Sequence, residues 1–120
     1  MKFITLPLVL AGVFAAGAAA ADGNWSFVNQ HGSGNGQATY QNGDYNAAIT
    51  GQRGRVNGSM SIQNGRGNMA VTSQRGRGNL SITDQMGRHN FSDTMQFGRG
   101  HESETIQTGR GNSSLTVQSN

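Results

Sequence analysis

The hydrophobic pattern of this chain changes once. Behind Lys2, Phe3 to Ala16 form one continuous apolar stretch, followed by small residues from Gly17 to Ala21. From Asn24 onward the pattern is different: runs of seven residues alternate in character and are separated by four residues rich in glycine. The first pattern has the three-part layout of a secretory signal peptide, 1–21, too short and alanine-rich at its end for a spanning helix. Small residues at Ala19 and Ala21 suit cleavage after Ala21. The second pattern predicts short strands joined by tight reversals, because alternation places successive side chains on opposite faces. Glycine at this density excludes helix.

The alternation is part of a repeat. Glutamine recurs every eleven residues, at Gln30, Gln41, Gln52, Gln63, Gln74, Gln85, Gln96, Gln107 and Gln118. Two residues after the first eight of these stand Gly32, Gly43, Gly54, Gly65, Gly76, Gly87, Gly98 and Gly109, where a reversal needs positive φ. Five residues after the glutamine comes asparagine, at Asn35, Asn46, Asn57, Asn68, Asn79, Asn90 and Asn112, with His101 the one departure. The unit reads Asn-x-(Ser/Ala)-x-Thr-x-Gln-x-Gly-x-x. Nine strands are expected at about 24–30, 35–41, 46–52, 57–63, 68–74, 79–85, 90–96, 101–107 and 112–118. Strands and turns of equal length make an all-β solenoid or arcade with two strands per coil and cross-β stacking, over a repeat domain of 22–120.

The two strand faces differ in uniformity. Positions one, three, five and seven are nearly constant, whereas two, four and six are mixed and include Trp25, Asp84, Asp93, Glu102 and Glu104. Unpaired carboxylates are rarely buried, and a narrow interior demands one small size on every coil. The uniform face is therefore expected inside. Its glutamines and asparagines are expected to form amide ladders, each side chain bonded to its copies above and below.

Composition adds to this picture. The repeat domain has no cysteine and no proline, little leucine and few aromatics, so neither disulfides nor a large apolar core stiffens it. Eight arginines stand in the reversals: Arg53, Arg55, Arg75, Arg77 and Arg99 on one edge, Arg66, Arg88 and Arg110 on the other. They either keep the chain soluble by like-charge repulsion or hold anionic matrix polymers without reading nucleic-acid sequence. The carboxylates of strands six to eight are expected to restrain premature assembly. Phe27, Ile49, Val71 and Leu115 share one outer face. His31, His89 and His101 share no ligand spacing with carboxylates, and the Gly-x-Gly fragments belong to the repeat, so no cofactor, metal or enzymatic function is expected. Asn-x-Ser triplets at Asn24, Asn57, Asn79, Asn90 and Asn112 also fall out of the repeat.

Gln63-Asn64-Gly65-Arg66-Gly67-Asn68-Met69-Ala70 followed by Gln74 resembles the repeat of the curlin family, as does Gln41-Asn42-Gly43-Asp44-Tyr45-Asn46-Ala47-Ala48 followed by Gln52. The likeness covers roughly residues 24 to 120. It departs in opening the unit with asparagine where curlins often have serine, and in using threonine where larger aliphatics are usual. The resemblance implies a subunit of curli-type amyloid fibres: a bacterial protein secreted unfolded, helped by a nucleator and outer-membrane secretion partners, and polymerised on the cell surface for adhesion and biofilm matrix. The first strand (NWSFVNQ) and the last (NSSLTVQ) carry no charge and are apolar enough to pair with further copies. An alternative function is a monomeric solenoid that binds ice, with Ser-x-Thr rows facing outward, or binds anionic matrix polymers.

Overall fold

A computed structural model describes residues 23–120; the expected signal peptide lies outside the described residues. Nine strands follow one another: β1 (Trp25–Ser33), β2 (Gly36–Asn42), β3 (Ala47–Arg55), β4 (Gly58–Arg66), β5 (Met69–Arg77), β6 (Leu80–Arg88), β7 (Phe91–Arg99), β8 (Glu102–Arg110) and β9 (Ser113–Ser119). Odd strands form one sheet in the order β1-β3-β5-β7-β9 and even strands the other, β2-β4-β6-β8. Every pairing is parallel and in register with the residue 22 positions on, as in Gln52↔Gln74 and Gln63↔Gln85. The protein is a β-solenoid of two strands per coil.

The strands are longer than the alternation predicted. Sequence pattern ends each one at its glutamine, yet seven of the nine run on through the glycine to the residue after it. Stacking causes this. Coils continue to hydrogen-bond through the reversal, with Gly78 N donating to Arg55 O and His89 N to Arg66 O, each at 3.0 Å. The strands also begin one residue later than expected, because the opening asparagine belongs to the turn.

The uniform face is the interior. Along β3 to β7 every second residue from the second position of the strand to the glutamine is buried. Only Ala48 and Ala70 are buried apolar residues among those described; the rest of the core is Asn, Gln, Ser and Thr. Short side chains let the two sheets close on each other, and length is what the interior selects.

On the outer faces the four carboxylates of β6 to β8 stand beside aliphatic neighbours. Asp84 lies between Ile62 and Ile106, Asp93 between Val71 and Leu115, Glu102 beside Leu80 and Glu104 beside Ile82. No carboxylate of this group stacks on another.

Candidate functional site: the amide columns and the arginine edges

Two kinds of amide column, glutamine and asparagine, run the length of each sheet, and they work differently. Each glutamine from Gln30 to Gln96 donates from Nε2 to Oε1 of the glutamine one coil on, at 2.7–2.9 Å. From Gln41 on, Nε2 also donates across the core to a backbone carbonyl of the opposite sheet. Gln52 reaches Gly36 O at 3.0 Å and Gln74 reaches Gly58 O at 2.8 Å. Each glutamine thus joins coil to coil and sheet to sheet. The central glutamines, Gln63, Gln85 and Gln96, have no exposed surface.

The asparagines do not form the amide-to-amide ladder expected of them; only Asn57 Nδ2 donates to another asparagine side chain, Asn35 Oδ1 at 3.1 Å. Their side chains bond backbone instead. Oδ1 accepts the N–H of the residue one coil on, as Asn46 Oδ1 does from Asn68 N at 3.1 Å and Asn90 Oδ1 from Asn112 N at 3.1 Å. Nδ2 donates to the glycine carbonyl of a neighbouring reversal, Asn46 to Gly65 O at 3.0 Å and Asn68 to Gly87 O at 3.2 Å. Asparagine sits at the corner, where chain direction changes and backbone groups lose their strand partners; the shorter amide satisfies them. Asn24, outside the expected ladder, joins the column by accepting from Asn46 N at 2.9 Å. Where His101 replaces asparagine, its backbone N donates to Asn79 Oδ1 and its ring nitrogen lies 3.0 Å from Phe97 O, within hydrogen-bond reach.

Hydroxyls behave differently from either amide. Seven buried hydroxyls, on Thr50, Ser59, Thr72, Ser81, Thr83, Ser92 and Thr94, have no hydrogen-bond partner among the described residues. Geometry explains it. Copies on adjacent coils stand about 4.7–4.9 Å apart, whereas an O–H···O bond closes at about 2.7–2.8 Å. An amide spans the gap because its donor and acceptor lie on opposite sides of one carbon. A single hydroxyl oxygen cannot.

The reversals contain two positive-φ columns. Gly32, Gly43, Gly54, Gly65, Gly76, Gly87, Gly98 and Gly109 have φ between 102° and 136°. A Cβ on Gly54 would lie 1.8 Å from Gly76 O, and one on Gly76 would lie 1.8 Å from Gly98 O. Glycine is required there by the approach of the next coil's carbonyl. Two residues on, φ is positive again, at Gly34, Tyr45, Val56, Gly67, Gly78, His89, Gly100 and Gly111. Sequence reasoning missed this second column, although glycine fills five of its eight places and was the available signal. Val56, with φ 56°, is the most strained of the other three, being β-branched.

All eight arginines of the reversals are exposed, and they divide between the edges as their spacing implies. Behind the odd strands, Arg53 stacks on Arg75, and Arg55, Arg77 and Arg99 form a second column. Behind the even strands there is one column, Arg66, Arg88 and Arg110; the position two residues earlier holds Asn42, Asn64, Met86 and Thr108. Arg66 lies over the Tyr45 ring, 5.7 Å from its centroid. Among the described residues no group of three or more His, Cys, Asp or Glu gathers where a metal ion could sit.

The fold defines the class: a parallel β-solenoid with a polar, amide-bonded interior. No protein-family model matches the chain, and no curated protein matches it in sequence.

Proposed function

We propose that this chain is a secreted structural subunit that adds to copies of itself end to end, forming extracellular amyloid fibres of the curli type for adhesion and biofilm matrix. The supporting observation is the head-to-tail polarity of the glutamine columns. Every coil offers the next the surface that it accepts from the one before. Among the described residues, Gln30 and Gln41 turn an acceptor Oε1 outward at one face of the stack. At the other face Gln107 and Gln118 each use one N–H across the core, to Phe91 O and Glu102 O, leaving the second for a further coil. Backbone groups of the edge strands extend the same invitation, and a second copy satisfies both at once. The leader-like segment 1–21 and the repeat's likeness to curlins support export to a bacterial surface.

The ice-binding alternative required serine and threonine rows on the outside. From β3 to β8 they are buried, so nothing in the geometry favours it.

Dilution of the full chain from denaturant, seeded and unseeded, tests the proposal. Expected are thioflavin-positive fibres with reflections at about 4.7–4.8 Å and about 10 Å, and a lag shortened by seeds. A chain that stays monomeric and gives no cross-β pattern would overturn it.

A further inference from the structure

The geometry points to the odd-strand edge as a binding groove for a linear acidic polysaccharide, held by Arg55, Arg75, Arg77 and Arg99 over a floor of bare glycine backbone. The groove exists within one chain and does not depend on fibre assembly.

Three observations carry the inference. Along the stack, carboxylates on the outer faces are interleaved with aliphatics, so none stands directly on another. The arginines are not: Arg55, Arg77 and Arg99 stand directly on one another, and Arg53 on Arg75. At strand spacing such a column of like charges repels itself. A chain of anions laid along it removes that repulsion. The second observation is shape. Gly54 and Gly76 lie between two arginines each, and Gly98 between Phe97 and Arg99; none presents a side chain, so a ligand can approach the backbone while guanidinium groups reach it from both sides of the first two. Guanidinium forks bind carboxylates through paired hydrogen bonds, which a lone ammonium does not.

The third observation is the contrast with the opposite edge, which shares the same backbone path. Its groove is lined by Arg66 and Arg88 together with Asp44, Asn64 and Met86. One arginine there already sits over Tyr45 and a carboxylate occupies the wall, so a polyanion gains less. The choice of polysaccharide over nucleic acid follows from how little aromatic surface the odd-strand groove offers. Single-stranded nucleic acid is held through a series of aromatic platforms as well as charge; among the described residues the groove is lined by arginines and glycines, with one aromatic, Phe97, bordering it on top of Arg75.

Two charge-matched triple variants of the full chain test this: Arg55→Gln with Arg77→Gln and Arg99→Gln, against Arg66→Gln with Arg88→Gln and Arg110→Gln. The probe is polygalacturonate oligosaccharide, with oligothymidylate of similar charge as comparison. Binding is measured across a salt series, and circular dichroism checks that each variant keeps its fold. Expected is a loss of tenfold or more in polygalacturonate affinity for the first variant and threefold or less for the second, with the wild type preferring polygalacturonate. Three results would overturn the inference: equal losses in the two variants, no binding by the wild type, or tighter binding of oligothymidylate. An Arg55→Lys, Arg77→Lys, Arg99→Lys variant keeps the charge. It is expected to lose part of the affinity, and full retention would remove the role assigned to guanidinium forks.

Discussion

The interior of the stack and its edges each contain a demanding position and a permissive one, two residues apart. Inside, Gln74 is bonded to the coils on both sides and to the opposite sheet, while Thr72 leaves its hydroxyl unpartnered. At the edge, Gly76 faces a carbonyl where its Cβ would be, while Gly78 has open space and its column elsewhere carries Tyr45, Val56 and His89. Repetition in the sequence is strictest where an atom of the neighbouring coil must be met at a fixed distance. It loosens where the neighbour asks only for small size or a backbone angle.

Substitutions at these positions can break that contrast. The largest effect is expected for Gly76→Ala, where overpacking of about 1–3 kcal/mol adds to backbone strain of about 1–3 kcal/mol. Gly78→Ala, strained but unobstructed, should cost only about 1–2 kcal/mol. Urea midpoints of the two variants measure the difference, and equal losses would mean that the carbonyl approach does not set the requirement for glycine.

Gln74→Leu comes next. It removes the bonds to Gln96 Oε1 and Gly58 O and leaves one of the two N–H groups of Gln52 Nε2 without its partner. The expected loss is about 2–4 kcal/mol, since each buried group left unsatisfied costs about 1–3 kcal/mol. Hydrogen exchange should quicken in β3 and β7 together with β5. Faster exchange confined to β5 would show that the column does not couple coils.

Thr83→Val replaces an unpartnered buried hydroxyl with a methyl of similar shape. Stability should rise by about 1 kcal/mol, the modest end of the cost of burying an unsatisfied polar group. A fall in midpoint would mean that the hydroxyl has a partner in solution. Smallest is Val56→Gly. Relief of left-handed strain of about 1–2 kcal/mol is offset by about 0.5–1 kcal/mol of added chain entropy, so a net gain centred on several tenths of a kcal/mol is expected, read as a rise in the thermal midpoint. No gain would make the second column's angle as cheap for valine as for glycine.

Much of this was legible because an eleven-residue register converts directly into stacking. Period, strand number, two strands per coil and the inward face all follow from one rule: residues of like position share one environment. The glycine reversals and the split of arginines between edges follow from the same arithmetic. The asparagine corners were not legible. Asn and Gln share a functional group, and only the path of the backbone shows that one amide stands within reach of its copy while the other meets unpaired main-chain groups. Strand ends were likewise hidden, because hydrogen bonding through the turn depends on the adjacent coil.

By itself, then, the sequence determined a repeating β-coil with a polar interior and charged edges, since periodicity is a local property that needs no folded partner. Tertiary structure alone decided which amides bond to each other, which hydroxyls go without, and where a carbonyl forbids a Cβ. Each of those is a distance between residues 16 to 22 positions apart, and distances of that kind come into being only when the coils stack.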